Sequence, residues 1–293
     1  LVTAVVKADA YGHGAVMLSK VFLQNGADRL AVSSLDEGTE LRRAKITAPI
    51  LILGHTAGER AEELLDNDIE PAVFSYRDAE MFSRKAVETG REVKIHSEAD
   101  IADKEWAHEQ HSRFSAFIDA LKGAGVTFNI HHCCNSAGTL ELPDFHREMI
   151  RPGIIQYGYD ASKEVLVTGT KIKPVMSLRC CITHLKTIYE GDCVGYGRHF
   201  TAKGPTKIAT LPIGYADGYN RALSSKIDVI VHGVRAHQVG NICMDQCMID
   251  VSHIPDVKVG DEVVLFGEQG SECVSADEIA DTCHTIIHEI TCN

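Results

Sequence analysis

The stretch Ala4-Val5-Val6-Lys7-Ala8-Asp9-Ala10-Tyr11-Gly12-His13-Gly14 decides the reading of this chain. Two valines ahead of Lys7 favour a short strand, and the glycines and His13 behind it end that strand and open a turn. Lys7 then belongs at a strand's carboxyl end, where parallel α/β folds place their sites. Burial there favours the unprotonated amine, and only that form attacks an aldehyde. Taken alone, a lysine near a strand end reads as a surface residue. The eleven-residue run is far more specific than its lysine.

Outward from this stretch, as far as about residue 158, short β-rich runs alternate with helical ones, the pattern of a parallel sheet with helices outside it. Strands are expected at 2–6, 29–33, 49–53, 70–74, 92–96, 126–130 and 149–150, and a barrel is the natural closure. A helix is expected over 35–44 behind an N-cap at Ser33-Ser34, and another over 76–89 ending at Gly90. A (β/α)8-type TIM barrel wants one strand more than these seven. After residue 160 closely spaced strands separated by glycine turns, as in Tyr189-Glu190-Gly191-Asp192 and Val259-Gly260-Asp261, indicate a mainly-β domain. The expected organisation is a barrel domain over 1–160 and a β-domain over 161–293, with the boundary near 160–169.

The 293 residues can bury a sizeable core, and 44% hydrophobic content suits a globular protein. A net charge of −12 with scattered lysines and arginines argues against nucleic acid as a partner. No apolar run approaches the roughly 20 residues of a membrane span, and the first residues lack a signal peptide's basic start, so a cytoplasmic location is expected. Ten cysteines show no framework spacing and read as reduced thiols.

The Lys7 run resembles the cofactor-lysine signature of the alanine racemases, fold-type III pyridoxal-phosphate enzymes, and four further motifs follow in that family's order. Residues 128–138 (FNIHHCCNSAG) look like its His-x-Ala-Asn-Ser segment, with Cys134 in place of the alanine. Residues 149–158 (MIRPGIIQYG) are similar to its Arg-Pro-Gly motif. Residues 213–221 (IGYADGYNR) and 239–250 (VGNICMDQCMID) resemble the two motifs of its C-terminal domain. The resemblance locates the missing strand between His96 and Trp106, where family members carry a longer stretch with a strand, a helix and an arginine that contacts the cofactor and the catalytic tyrosine; here only 97–105 remain. It also implies a strand and helix ahead of Leu1 and a further segment beyond Asn293.

What the resemblance implies is an isomerase, a pyridoxal 5'-phosphate enzyme that interconverts L- and D-alanine and supplies D-alanine for peptidoglycan. Lys7 would hold the cofactor and act as one base. Tyr215, from the partner subunit of a homodimer, would be the second acid/base across the cofactor plane. Phenols titrate near 10, so a cationic partner is needed, and the family's histidine for that purpose falls in the shortened central segment. Arg151 would hydrogen-bond the pyridine nitrogen and leave it unprotonated, with His132 orienting it. Ser136, Gly153, Ile154 and Tyr11 would receive the phosphate, and Asn135 matches the motif while also fitting a turn cap. Met244 would bind the substrate carboxylate through its N–H, flanked by Cys243 and Asp245. Such shared sites make a head-to-tail homodimer acting on a small amino acid.

Asn241 departs from the family's usual arginine, which keeps a serine/alanine racemase open as an alternative. A catalytically silent cofactor-binding fragment is a second alternative, motivated by the short central segment, and a fold-type III decarboxylase fits the Tyr11 and Met244 contexts poorly. No metal is expected: in His131-His132-Cys133-Cys134 successive strand residues face opposite ways, and no Cys-x-x-Cys occurs. Gly12-His13-Gly14 fails as a dinucleotide fingerprint because Met17 takes the third glycine's place.

Overall fold

The computed structural model describes residues 1–91, 104–123, 129–161 and 172–293. Two compact units emerge, Leu1–Pro174 and Val175–Asn293. In the first, strands β1 (Thr3–Val5), β2 (Arg29–Val32), β3 (Ile50–Ile52) and β4 (Ile69–Glu70) are parallel and adjacent in that order. All are buried, as expected of strands sandwiched between a core and a helical layer. Valine and isoleucine recur in all four strands, and their branched carbons pack well on a pleated surface. On its other edge β1 takes the chain around Ile150, also parallel: Val2 bridges Ile150, and the N–H groups of Thr3 and Val5 donate to Ile150 and Pro152 at 2.9 and 3.2 Å. The first strand thus pairs with a segment near the unit's far end, as a closing barrel requires.

The helices flanking these strands start and stop where their caps dictate. Ser34 accepts from the Glu37 N–H at 3.3 Å and opens the helix Leu35–Arg43. Ser75 accepts from the Asp78 N–H at 3.2 Å and opens Tyr76–Thr89, which Gly90 ends in the left-handed conformation. The strand expected at 70–74 forms only a two-residue ladder. Pro71 has no N–H to give, so pairing is reduced to the Ala72 N–H, which donates to Ile52 at 3.1 Å. The expected strand at 92–96, the shortened stretch after it up to residue 103, the start of the strand at 126–130 and most of the boundary at 160–169 lie outside the described residues.

Two guanidinium groups pin the ends of these strands. Arg42 donates to the carbonyls of Ile46, Ala48, Asn67 and Asp68 at 2.7–2.8 Å, tying together the segments that lead into β3 and β4. Arg29 pairs with Glu70 across β3, both side chains buried.

The second unit is antiparallel. A five-stranded sheet orders β11 (Val234–His237), β10 (Asp228–Val231), β13 (Glu262–Gln269) and β14 (Glu272–Val274), with β5 (Leu178–Cys181) paired to β13. A three-stranded sheet runs β12 (Cys247–Asp250), β9 (Thr206–Leu211), β6 (His184–Ile188). A two-stranded ribbon joins β7 (Cys193–Val194) and β8 (Phe200–Thr201). Alternate residues of these strands meet in one apolar core that includes Leu211, Val229, Val231, Ile249, Val263 and Leu265. Gly191 turns β6 into β7 at a positive φ of 87°, which a β-carbon would oppose.

Because Arg29 and Glu70 are both buried, removing only the carboxylate strands a charge. Glu70→Ala is expected to lower the unfolding free energy by about 3–5 kcal/mol, and the joint change Arg29→Met with Glu70→Leu to recover most of it. Denaturant titration of the two variants checks this.

Candidate active site

Behind β1 the chain does something its residue types do not announce. Ala8, Asp9, Ala10 and Tyr11 all adopt left-handed backbone angles, with φ of 51°, 49°, 54° and 55°, and Gly12 follows at 77°. Such a turn costs an L-residue about 1–2 kcal/mol each and survives only when its surroundings enforce it. Several bonds do so. Glu37 accepts from the Ala8 N–H at 2.8 Å and from the Ser33 N–H at 2.7 Å. Asp9 accepts from the Ala15 N–H at 2.6 Å and so holds the start of the helix Ala15–Gln24. The His13 Nδ1 lies 2.7 Å from the Tyr11 carbonyl and 3.1 Å from that of Ala10, and acts as their donor. Lys7 sits half-buried at the head of this turn, its amine without a hydrogen bond or ion pair among the described residues.

The turn sends Tyr11 inward. Its buried ring lies 4.9 Å from that of Tyr157, whose hydroxyl donates to the Val5 carbonyl at 2.7 Å. A β-carbon added to Gly153 would stand 2.6 Å from the Tyr11 hydroxyl and 3.5 Å from Ser136 Oγ. Three sequence-expected residues therefore converge on a space that one methyl group would fill. The Gly153 N–H donates to Ser136 Oγ at 2.8 Å, which leaves the Ile154 N–H as the backbone donor without a partner among the described residues. Two hydroxyls and an N–H, with no carboxylate among them, suit a phosphate dianion.

Beside this cradle, Arg151 and His132 are buried and bonded to each other. A guanidinium cannot accept, so Arg151 donates and His132 Nδ1 is the unprotonated ring nitrogen. The Arg151 N–H also donates to the Cys134 carbonyl at 2.9 Å, joining the two motifs. Asn135 caps the short helix Ser136–Glu141, accepting from the Gly138 N–H at 3.1 Å; this is the turn-cap role. Of the adjacent buried thiols, the neighbouring Cys134 with Arg151 and Arg147 draws Cys133 below the usual thiol value, while Cys133 and burial keep the proton on Cys134.

In the second unit the two C-terminal motifs lie side by side. The Tyr215 and Ala216 N–H groups donate to the carbonyls of Cys243 and Met244 at 3.0 and 2.9 Å, an approach open only because Gly214 lacks a side chain. Tyr215 is 43% and Met244 59% exposed, Asp245 is exposed and Cys243 buried. Tyr219, four residues on, is buried among cysteines, and that burial pushes its phenol well above the usual value of 10. Asn241 reaches the Tyr196 carbonyl through Nδ2 at 2.9 Å, bringing a third exposed side chain, Tyr196, beside the same loop. The Met244 N–H has no partner among the described residues.

Comparison with known proteins fits this geometry. The family model "Alanine racemase, C-terminal domain" matches residues 175–293, and "Alanine racemase, N-terminal domain" matches 1–102 and 96–161. The chain belongs to the alanine racemase family. An alanine racemase of Clostridium perfringens is 40% identical over 99% of this chain and 86% of its own length, and one of Methanococcus maripaludis is 39% identical over 99% and 89%. Among solved structures, the alanine racemase of Clostridium difficile 630 in complex with cycloserine superposes with a TM-score of 0.93 at 36% identity, covering 99% of this chain and 85% of that one. That of Bacillus anthracis with bound L-Ala-P gives 0.90 at 32%, with the same coverage. The likeness bears out the barrel and β-domain architecture and the family resemblance carried by the five motifs. The alignment to the Clostridium perfringens alanine racemase runs over 331 positions, more than the 293 residues here, and the N-terminal match breaks at 96–102, where the sequence reading found its shortfall.

Three residues escaped the sequence reading. Tyr157 lies inside the 149–158 motif, where nothing in its sequence context marks a role. Tyr196 stands between glycines, the mark of an exposed turn residue. Glu37 was legible as the fourth member of Ser34-Leu35-Asp36-Glu37, a capping-box spacing. If the Gly153 space receives a phosphate, Gly153→Ala is expected to weaken binding of a phosphate ester such as pyridoxal phosphate by about tenfold or more, about 1.4 kcal/mol, with little change in melting temperature. Equilibrium dialysis against the ester checks this.

Proposed function

We propose that this protein racemises alanine with pyridoxal 5'-phosphate as cofactor, in a homodimer whose two sites are each built from both chains. The observation that carries the reading is the cradle of Tyr11, Ser136 and Gly153 at the end of the strand that leads into Lys7, with Arg151 fixed next to it by His132. These donors fit the group: hydroxyls and an N–H for the phosphate, a permanent cation for the ring nitrogen, an amine for the aldehyde. When bound, the cofactor supplies an electron sink that delocalises the charge left by removal of an α-proton.

The protein's own side chains do the rest. Lys7 binds the cofactor through its amine and, once released, takes or returns a proton at Nζ. Arg151 would donate to the ring nitrogen and, as a permanent cation, would leave it unprotonated, which would temper the sink and disfavour side reactions. Its orientation is set by His132, so the donor does not swing with solvent. Tyr215 Oη from the second chain exchanges a proton on the opposite face, and the Met244 N–H, between Cys243 and Asp245, receives the substrate carboxylate. The neighbouring exposed side chains Tyr196, Tyr215 and Met244 form the surface by which one chain would close the other's site. A cytoplasmic setting agrees with ten cysteines, all free. No helix among the described residues is long and apolar enough to cross a membrane.

One observation favours a second substrate. The neutral Asn241 side chain is tied to the Tyr196 carbonyl, so no cation stands at that position and the polar entry suits serine as well as alanine. Turnover of L-serine against L-alanine decides between them. Purified protein that binds the cofactor yet leaves the α-hydrogen of alanine unexchanged in deuterated water would instead favour a silent binding protein.

Lys7→Ala is expected to abolish the visible absorption of bound cofactor; an unchanged spectrum overturns the assignment. Tyr215→Phe should keep that absorption and lower kcat by about 10²–10⁴-fold, the usual worth of a positioned acid or base. Mixing the two inactive variants tests the shared site. Mixed dimers carry one site with both groups intact, so activity returns; a site contained in one chain would stay dead.

A further inference from the structure

The sequence Ser34-Leu35-Asp36-Glu37 has the spacing of a capping box, in which the glutamate normally folds back on the N–H of the cap residue. Here only half of that box forms. Ser34 accepts from the Glu37 N–H, but the Glu37 carboxylate leaves the cap. One oxygen takes the N–H and hydroxyl of Ser33 at 2.7 and 3.0 Å, and the other takes the Ala8 N–H at 2.8 Å. A single half-buried carboxylate therefore spans the loops that follow β1 and β2. Its Ala8 end grips the first residue of the left-handed turn, the residue bonded to Lys7.

Energetics make this grip consequential. An extended continuation of β1 would be favoured at Ala8, Asp9 and Ala10, none of which is glycine. The far end of the turn is anchored by Asp9 on Ala15, by His13 and by the packing of Tyr11 on Tyr157, all downstream. At the Lys7 end the Ala8 N–H is held by Glu37. A charge-assisted bond to a backbone N–H is among the stronger ones available there. Losing it frees the backbone that carries Lys7, while Ser136 and Gly153 keep their own bond and Tyr11 keeps its packing on Tyr157.

We propose that Glu37 is a positioning residue for Lys7: its carboxylate enforces the left-handed turn that sets where the Lys7 amine stands, and so governs cofactor capture more than overall stability. This rests on the reading of Lys7 as the cofactor lysine. Among the described residues Glu37 makes no hydrogen bond to the cradle residues or to the Lys7 amine, so its effect passes through the backbone of Ala8.

The full chain with Glu37→Gln, Glu37→Ala, Ser33→Ala and Lys7→Ala tests it. Glutamine keeps the length but turns one acceptor oxygen into a donor that faces another N–H, so one arm of the clamp must open. In cofactor-free protein, hydrogen–deuterium exchange over residues 7–15 is expected to speed about tenfold or more in Glu37→Gln, while residues 38–43 keep the wild-type rate. In the same variant the dissociation constant for pyridoxal phosphate rises about tenfold. Ser33→Ala, which removes one donor of three, shows a smaller change in both. Unchanged exchange over 7–15, equal acceleration through 38–43, or an unchanged dissociation constant overturns the proposal. Should Glu37→Ala fail to fold, the glutamine arm still decides. Lys7→Ala separates the two claims: if it keeps the visible band, the cofactor reading falls, whereas the exchange result reports on the turn alone.

Discussion

Four consecutive L-residues with left-handed backbone angles stand directly behind the strand that presents Lys7. The conformation runs against the preference of every one of them, by a total of roughly 4–8 kcal/mol. Stability of that size is on the scale of a whole domain's margin. It persists because charged oxygens hold both ends: Glu37 grips Ala8 and Asp9 grips Ala15. The placing of Lys7 and Tyr11 in the candidate site follows from the reversal. The backbone turns sharply enough to leave Lys7 at the strand's end while Tyr11, four residues later, swings back against Tyr157 and reaches Gly153. An ordinary right-handed or extended continuation would send that phenol elsewhere.

The N-terminal candidate residues are held by bonds of their own. Arg151 is buried and bonded to His132, Ser136 is fixed by the Gly153 N–H, and Tyr157 is pinned to the Val5 carbonyl. Groups whose rotamers are locked before a ligand arrives lose little entropy on binding it. The C-terminal contribution has the opposite character. Tyr215 and Met244 project from loops whose backbones are firmly bonded to each other, yet their side chains stand in solvent. A rigid base with exposed tips is what a surface needs if another chain is to complete it.

Much of this was legible in residue order, for identifiable reasons. The helices at Leu35–Arg43 and Tyr76–Thr89 start at serine caps and the second ends at a glycine, local chemistry that needs no tertiary partner. Apolar runs bounded by turns marked β2 and β3 in the same way. The five motifs pointed to the family, because glycine, histidine and arginine at those spacings carry chemistry rather than packing. The apolar run at 70–74 suggests a longer strand than forms, because Pro71 has no N–H to pair and the ladder stops at Glu70.

Sequence alone determined the two-unit architecture, the cap-defined helix limits and the candidate residues, since each follows from short-range propensity or from a run of neighbours. Only the tertiary structure decided that Tyr215 is exposed while Tyr219, in the same motif, is buried with its hydroxyl neutral. It alone bent Ala8 to Tyr11 into a left-handed turn, took Glu37 from its own helix cap to a loop 29 residues away, and gave Asn135 to a cap. Those outcomes depend on which donors and acceptors meet across the fold, and no local propensity encodes a meeting between distant segments.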